Sequence, residues 1–158
     1  MARLDTKTIW LVTAAAAAVI VALQFCPATR GVQTYALEGA SGSALAIRVF
    51  DSPERRLFAL AGLDRFPPGY GLLLVFDDGT PPRIWSKTLQ VEADLLWLDE
   101  TKQIVDRDLG AQPCRNDPCV EYTPGRGAVS VLVLPPGTGQ DPAFQAGQTA
   151  VLKPVRAS

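Results

Sequence analysis

The sequence predicts a mostly-β α+β domain, a sheet curled on itself with one short helix, preceded by an N-terminal transmembrane or signal helix. Three observations lead there. Short stretches rich in Val, Ile, Leu and Trp recur along the chain, each bounded by clusters drawn from its 13 prolines and 13 glycines. A single segment carries the start and stop signals of a helix. One apolar run near the N-terminus resembles nothing later in the chain.

That run is Ile9 to Phe25, 17 residues without a charge and with only Thr13 and Gln24 polar. At a rise of ~1.5 Å per residue, a helix of this length is ~25 Å long, just short of a ~30 Å hydrocarbon core. It can span a thin bilayer or serve as an export signal. Arg3 and Lys7 precede it, partly offset by Asp5, which places the N-terminus in the cytoplasm and the rest outside. The small-x-small sites near Cys26, Pro27 and Ala28 are poor for cleavage. Phe25 before Cys26 also argues against lipidation, since a lipid-bearing cysteine normally follows a small residue. The expected organisation is a signal anchor or signal peptide at 1–29, a linker with room for an edge strand at 30–43, and a β-rich domain at 44–158. The expected location is the cell membrane, single pass with the domain exported, or the periplasm or medium after cleavage.

Residues 30–158 carry 13 basic and 15 acidic side chains, and a domain of this size buries enough surface to fold without a metal. Strands are expected at Ala44–Phe50, Gly71–Phe76, Ile84–Leu98, Ala128–Leu134 and Thr149–Val155. The helix follows the first of them. Ser52 can cap it, Pro53 suits the first turn, Glu54 favours the positive end of the dipole, and Gly62 can stop it. Leu57, Leu60 and Ala61 then share one face.

If Trp85 to Trp97 is extended throughout, one face carries Trp85, Lys87, Leu89, Val91, Ala93, Leu95 and Trp97, and the other Ser86, Thr88, Gln90, Glu92 and Asp94. The odd-numbered face is then the core face, with Lys87 its only charge. A lysine there must reach out to water, find a carboxylate, or lower its pKa. A bulge or turn near Gln90 would exchange the faces. Asp77-Asp78-Gly79 is expected as a turn, without the further oxygen ligands of a calcium loop.

Cys114 and Cys119 enclose Arg-Asn-Asp-Pro, a loop that one disulfide spans easily in an oxidising compartment. Thiol redox chemistry is the alternative. A metal site would need more ligands than lie nearby, so no metal and no cofactor is expected. The chain has no histidine. That excludes Ser-His-Asp and Cys-His nucleophiles and imidazole metal ligands. The net charge of -1 gives no electrostatic reason to expect nucleic acid.

The order of motifs is similar to that of a bacterial and archaeal family, domain of unknown function family 192. Its members show Thr-Pro-Glu-Glu-Arg in a short helix, then Leu-Pro-x-x-x-Gly-Met-Leu-Phe-x-Phe, then Phe-Trp-Met-Lys-Asn-Thr with an Asp seven positions past the Lys, then Pro-Cys, a second Cys and a Tyr. This chain reads Ser52-Pro53-Glu54, Phe66-Pro67-Pro68-Gly69-Tyr70-Gly71-Leu72-Leu73-Leu74-Val75-Phe76, Ile84-Trp85-Ser86-Lys87-Thr88-Leu89, Asp94, Pro113-Cys114, Cys119 and Tyr122. The departures are Ala59-Leu60-Ala61 for the family's Gly-Leu-Met, Leu63 for the arginine that usually follows although Arg65 lies nearby, and Ser86-Lys87-Thr88-Leu89 for Met-Lys-Asn-Thr. The resemblance implies a small, barrel-like domain, often exported or anchored, and supplies no reaction.

Three functions compete. One is a non-catalytic extracytoplasmic module that binds a small polar or anionic ligand or an envelope partner. Its candidate site is Trp85, Lys87 and Asp94 with Tyr70 or Tyr122 nearby: the aromatics supply a wall for a ring, and Lys87 pairs with an anion. The bland counterpart is that Trp85 and Trp97 are core and Lys87 is bridged to Asp94 or another carboxylate. The second is an envelope enzyme using Lys87 and Asp94, or a carboxylate pair such as Glu92 with Asp94 or Asp99 with Glu100. The third is a purely structural interaction domain.

Overall fold

The computed structural model describes residues 33–155 apart from 41, 43 and 78. The expected N-terminal helix, Cys26 and Asp78 of the Asp-Asp-Gly turn lie outside the described residues. No helix among the described residues is long and apolar enough to cross a membrane.

The first strand, β1 (Thr34–Glu38), pairs antiparallel with β2 (Ala44–Phe50). It comes from the stretch expected to be linker or edge strand, and it lies one position inside the edge. Helix α1 (Pro53–Ala61) follows, its first turn capped by Ser52 Oγ, which accepts from Arg55 N at 3.4 Å. The helix returns the chain to β3 (Tyr70–Val75), which runs parallel to β2. Then come β4 (Ile84–Trp85), a 3-10 turn at Ser86–Thr88, β5 (Ala93–Leu98), β6 (Ile104–Ala111), β7 (Glu121–Tyr122), β8 (Ser130–Leu134) and β9 (Leu152–Pro154).

Seven strands form a mixed sheet in the order β6-β5-β8-β3-β2-β1-β9, and β4 pairs with β7 in a separate ribbon. Neighbours are antiparallel except β2 and β3. The sheet is not closed, so the expected barrel is corrected to a curled open sheet with β6 and β9 at its edges. A single bridge, Gln103 to Thr149, links β6's start to the segment before β9, with Ala150 N donating to Lys102 O at 2.9 Å. The ladder stops there because residue 151 leaves for β9, a three-residue strand ending on Pro154, which has no N–H to donate.

Both faces of the sheet are covered. Leu72, Leu74, Leu95, Trp97, Val131 and Val133 pack on one side under Leu60 of α1 and Ile84 of β4. Leu73, Leu96, Leu98, Leu132 and Leu134 pack on the other with Leu37, Ile47 and Phe144. All six residues of β5 are therefore buried, as expected of a strand sandwiched between layers. At Gly71 a Cβ would lie 2.8 Å from both Ile47 Cδ1 and Leu134 Cδ2, so a larger residue there would have to displace both methyl groups where β2 and β8 flank β3.

The strand β6 is absent from the expectations because Asp106, Arg107 and Asp108 interrupt its apolar pattern. Each finds a partner only in the folded chain. Asp106 Oδ2 accepts from Gly125 N at 2.6 Å, Arg107 donates to Gly139 O at 3.1 Å, and Asp108 Oδ2 accepts from Trp97 Nε1 at 2.7 Å. In the β5–β6 turn, Asp99 Oδ1 accepts from Thr101 N and Oγ1, both at 2.8 Å, and from Gln103 N at 3.0 Å. The Thr101 hydroxyl, more than the backbone donors, holds the Asp99 carboxyl below its ordinary pKa.

Candidate functional site

The stretch from Trp85 to Trp97 is not continuously extended. After Trp85 the chain makes the 3-10 turn Ser86–Thr88, bends at Gln90 and Val91, and resumes as β5. The turn exchanges the faces of its first part. Ser86 points into the protein at 2% exposure, while Trp85 stands 47% exposed. Lys87 is outside as well, so its expected place on the core face is corrected. Its Nζ lies 3.0 Å from Asp117 Oδ1 and 5.1 Å from the centre of the Trp85 ring.

The other expected site residues are elsewhere. Asp94 is 1% exposed, and its Oδ1 accepts from Gly110 N at 2.9 Å while Oδ2 accepts from Gly139 N at 2.8 Å. Lys87 and Asp94 thus have separate partners, and Asp94 ties β5 to β6 and to the turn at Thr138–Gln140. Tyr70 begins β3 and packs half-buried on the core. Tyr122 does the same from β7, its hydroxyl accepting from Gln112 N at 2.9 Å. The structure keeps Trp85 and Lys87 together and separates both from Asp94.

Trp85 stands on an open groove of about 380 Å³ between α1 and the β4–β7 ribbon, within the size range of small-molecule sites. Leu60, Leu74, Phe76 and Ile84 give it an apolar floor. Arg56, Arg83, Thr80, Thr88 and Glu121 supply polar groups around that floor. Arg56 is 6% exposed; it donates to Val75 O and lies with its guanidinium carbon 4.3 Å from the centre of the Phe76 ring. Arg83 faces Glu121 at 3.6 Å.

The expected helix face is corrected here too. Arg56 and Leu60 turn inward, and Leu57 is 52% exposed on the groove. A guanidinium can replace an apolar side chain at that depth because it finds a carbonyl and an aromatic face. The i, i+4 spacing of Arg56 and Leu60 was the available signal for this residue. Arg83 and Glu121 had none, because the strand pair that joins them is two residues long.

The ribbon is fastened from outside by the Cys114–Cys119 disulfide, whose Cα atoms are 5.4 Å apart. Cys114 N donates to Ser86 O at 3.0 Å, and Ser86 N to Val120 O at 2.9 Å. The disulfide loop thereby holds the turn that displays Trp85 and Lys87. Cys114, Asp117 and Cys119 have potential ligand atoms within 4.8 Å of one another. With the sulfurs bonded to each other there is no thiolate to coordinate.

No curated protein matches the chain. Two crystal structures share the fold. One is of a proposed transcription regulator from Sinorhizobium meliloti 1021, 22% identical, with a TM-score of 0.60 over 77% of this chain and 92% of that one. The other is of a protein of unknown function from Novosphingobium aromaticivorans DSM 12444, 12% identical, with a TM-score of 0.59 over 81% of this chain and 89% of that one. The sequence profile of DUF192, Uncharacterized ACR, COG1430, matches residues 26–152. The motif order from Ser52 to Tyr122, the mixed sheet with one α-helix among the described residues, and that match place this chain in the DUF192 family.

Proposed function

We propose that the protein is a non-catalytic binding module, held at a membrane or exported by residues 9–25, whose ligand joins an anionic group to a flat or apolar part. The observation that carries this reading is Trp85, half-exposed on the α1–β4 groove with the Lys87 ammonium beside its ring. Tryptophan offers a face for a ring, Arg83 lines the groove, and Lys87 stands beside the Trp85 ring. The acids named for catalysis support a binding role over a reaction. Both oxygens of Asp94 are taken by backbone donors, and Asp99 closes a turn.

Phenyl phosphate added to the full chain should quench Trp85 fluorescence and raise the melting temperature, while inorganic phosphate and phenol separately do so weakly. Lys87→Met should weaken phenyl phosphate binding about tenfold, the worth of one charged hydrogen bond. Equal responses to phenyl phosphate in Trp85→Leu and wild type would overturn the groove assignment. For the location, the intact chain should sediment with membranes and resist alkaline extraction. A shortened chain in the periplasm would select cleavage, and an intact chain in the cytosol would sink both forms.

A second reading, a protein partner on the groove's outer lip, is favoured by Leu57 and by Phe58, which is 75% exposed. Cross-linking from position 58 to an envelope protein, with no phenyl phosphate response, would select it.

A further inference from the structure

A second concave site lies at one end of the apolar cluster opposite α1. It is an open cavity of about 390 Å³ with Leu73 and Ala150 as its floor and Tyr35, Val49, Val75 and Leu152 as its walls. These side chains belong to, or pack against, the core layer that contains Phe144 and Ile104, so the cavity opens that layer to solvent. Its remaining lining is polar and sits together: Thr101, Lys102 and Thr149.

Lys102 is the unusual member. Its φ of 66° is positive, the only such value for a non-glycine among the described residues. That conformation favours glycine, so the side chain at this position does not stabilise the turn's backbone. Among the described residues the ammonium has no hydrogen-bond or ion-pair partner. Asp99, whose carboxyl feels the Lys102 charge, already accepts three hydrogen bonds from its own turn. The turn is further pinned by Ala150 N donating to Lys102 O at 2.9 Å. An apolar slot beside one cation on a pinned turn fits an amphipathic anion.

We propose that this cavity binds an aliphatic chain ending in a carboxylate, the chain against Leu73, Val49 and Val75 and the carboxylate against Lys102. The site is separate from the groove at Trp85, and it stands whether or not that groove binds a ligand.

The test is a titration of the full chain, isotopically labelled at its Val and Leu methyl groups, with butyrate, hexanoate, octanoate, octanol and octylammonium. The Val49, Val75 and Leu73 signals should shift, with affinity rising about fourfold for each methylene added. Octanoate should bind about fivefold more tightly than octanol, as for one partly exposed ion pair. Lys102→Gly suits the backbone and should leave the melting temperature equal or higher while abolishing the preference for octanoate over octanol. Trp85→Leu should change none of these affinities. The proposal is overturned if affinity does not grow with chain length, or if octanol or octylammonium binds as well as octanoate. It is equally overturned if Lys102→Gly keeps the preference, or if Trp85→Leu removes octanoate binding.

Discussion

Replacing Trp97 by alanine should lower the stability of the domain by about 3–5 kcal/mol, the largest loss expected from any single truncation in the core. Trp97 is the largest fully buried side chain among the described residues, packed among Leu72, Leu74, Leu95 and Val131 on the helix side of the sheet. Its removal leaves a cavity in the apolar layer on the helix side of the sheet. The indole also joins β5 to β6 through Asp108 at 2.7 Å. Trp97→Phe separates the two contributions: it keeps most of the apolar contact and loses the hydrogen bond. Because Asp108 is partly exposed, water can take the lost donor's place, and the cost should be only about 1–2 kcal/mol. Urea unfolding of both variants checks this. If Trp97→Phe proves as damaging as Trp97→Ala, the packing argument is wrong and the Asp108 bond dominates.

Asp94→Asn should cost about 2–4 kcal/mol although it changes only one heavy atom. The two carboxyl oxygens accept from Gly110 N and Gly139 N. An asparagine offers one carbonyl oxygen and sets its NH₂ against the other donor, leaving a polar group unsatisfied at a buried position. The fit around Asp94 is close on the Gly139 side, where a Cβ built on that glycine would lie 3.2 Å from Asp94 Oδ2. Amide exchange is the direct reading. The Gly139 or Gly110 N–H should exchange faster in the variant, while phenyl phosphate binding at the Trp85 groove stays unchanged. An unaltered melting temperature combined with lost binding would instead return Asp94 to the ligand site.

Local signals in the chain were legible where the folded structure is decided locally. Ser52, Pro53 and Gly62 bound the helix as their capping chemistry requires. The expected strand Ala44–Phe50 is β2 residue for residue, and Tyr70–Val75 is displaced by one position from Gly71–Phe76. The Cys114–Cys119 bridge needed only a short loop. Edges were less legible: β6 hides behind three charged residues whose partners come from Gly125, Gly139 and Trp97, all distant in sequence or on another strand.

The candidate site divides in the same way. Trp85 and Lys87 are two residues apart and stay together, whereas Asp94, seven residues past Lys87, belongs to a different strand because a turn intervenes. By itself the sequence determined the family, the mostly-β class, the helix and the covalent loop, since these depend on contacts between near neighbours and on motif order. Only the tertiary structure decided which side chains face inward. A single turn after Trp85 exchanges the faces at Trp85, Ser86 and Lys87, a second layer buries both faces of β5, and an arginine is accepted at the core's edge because Phe76 and Val75 O meet it there.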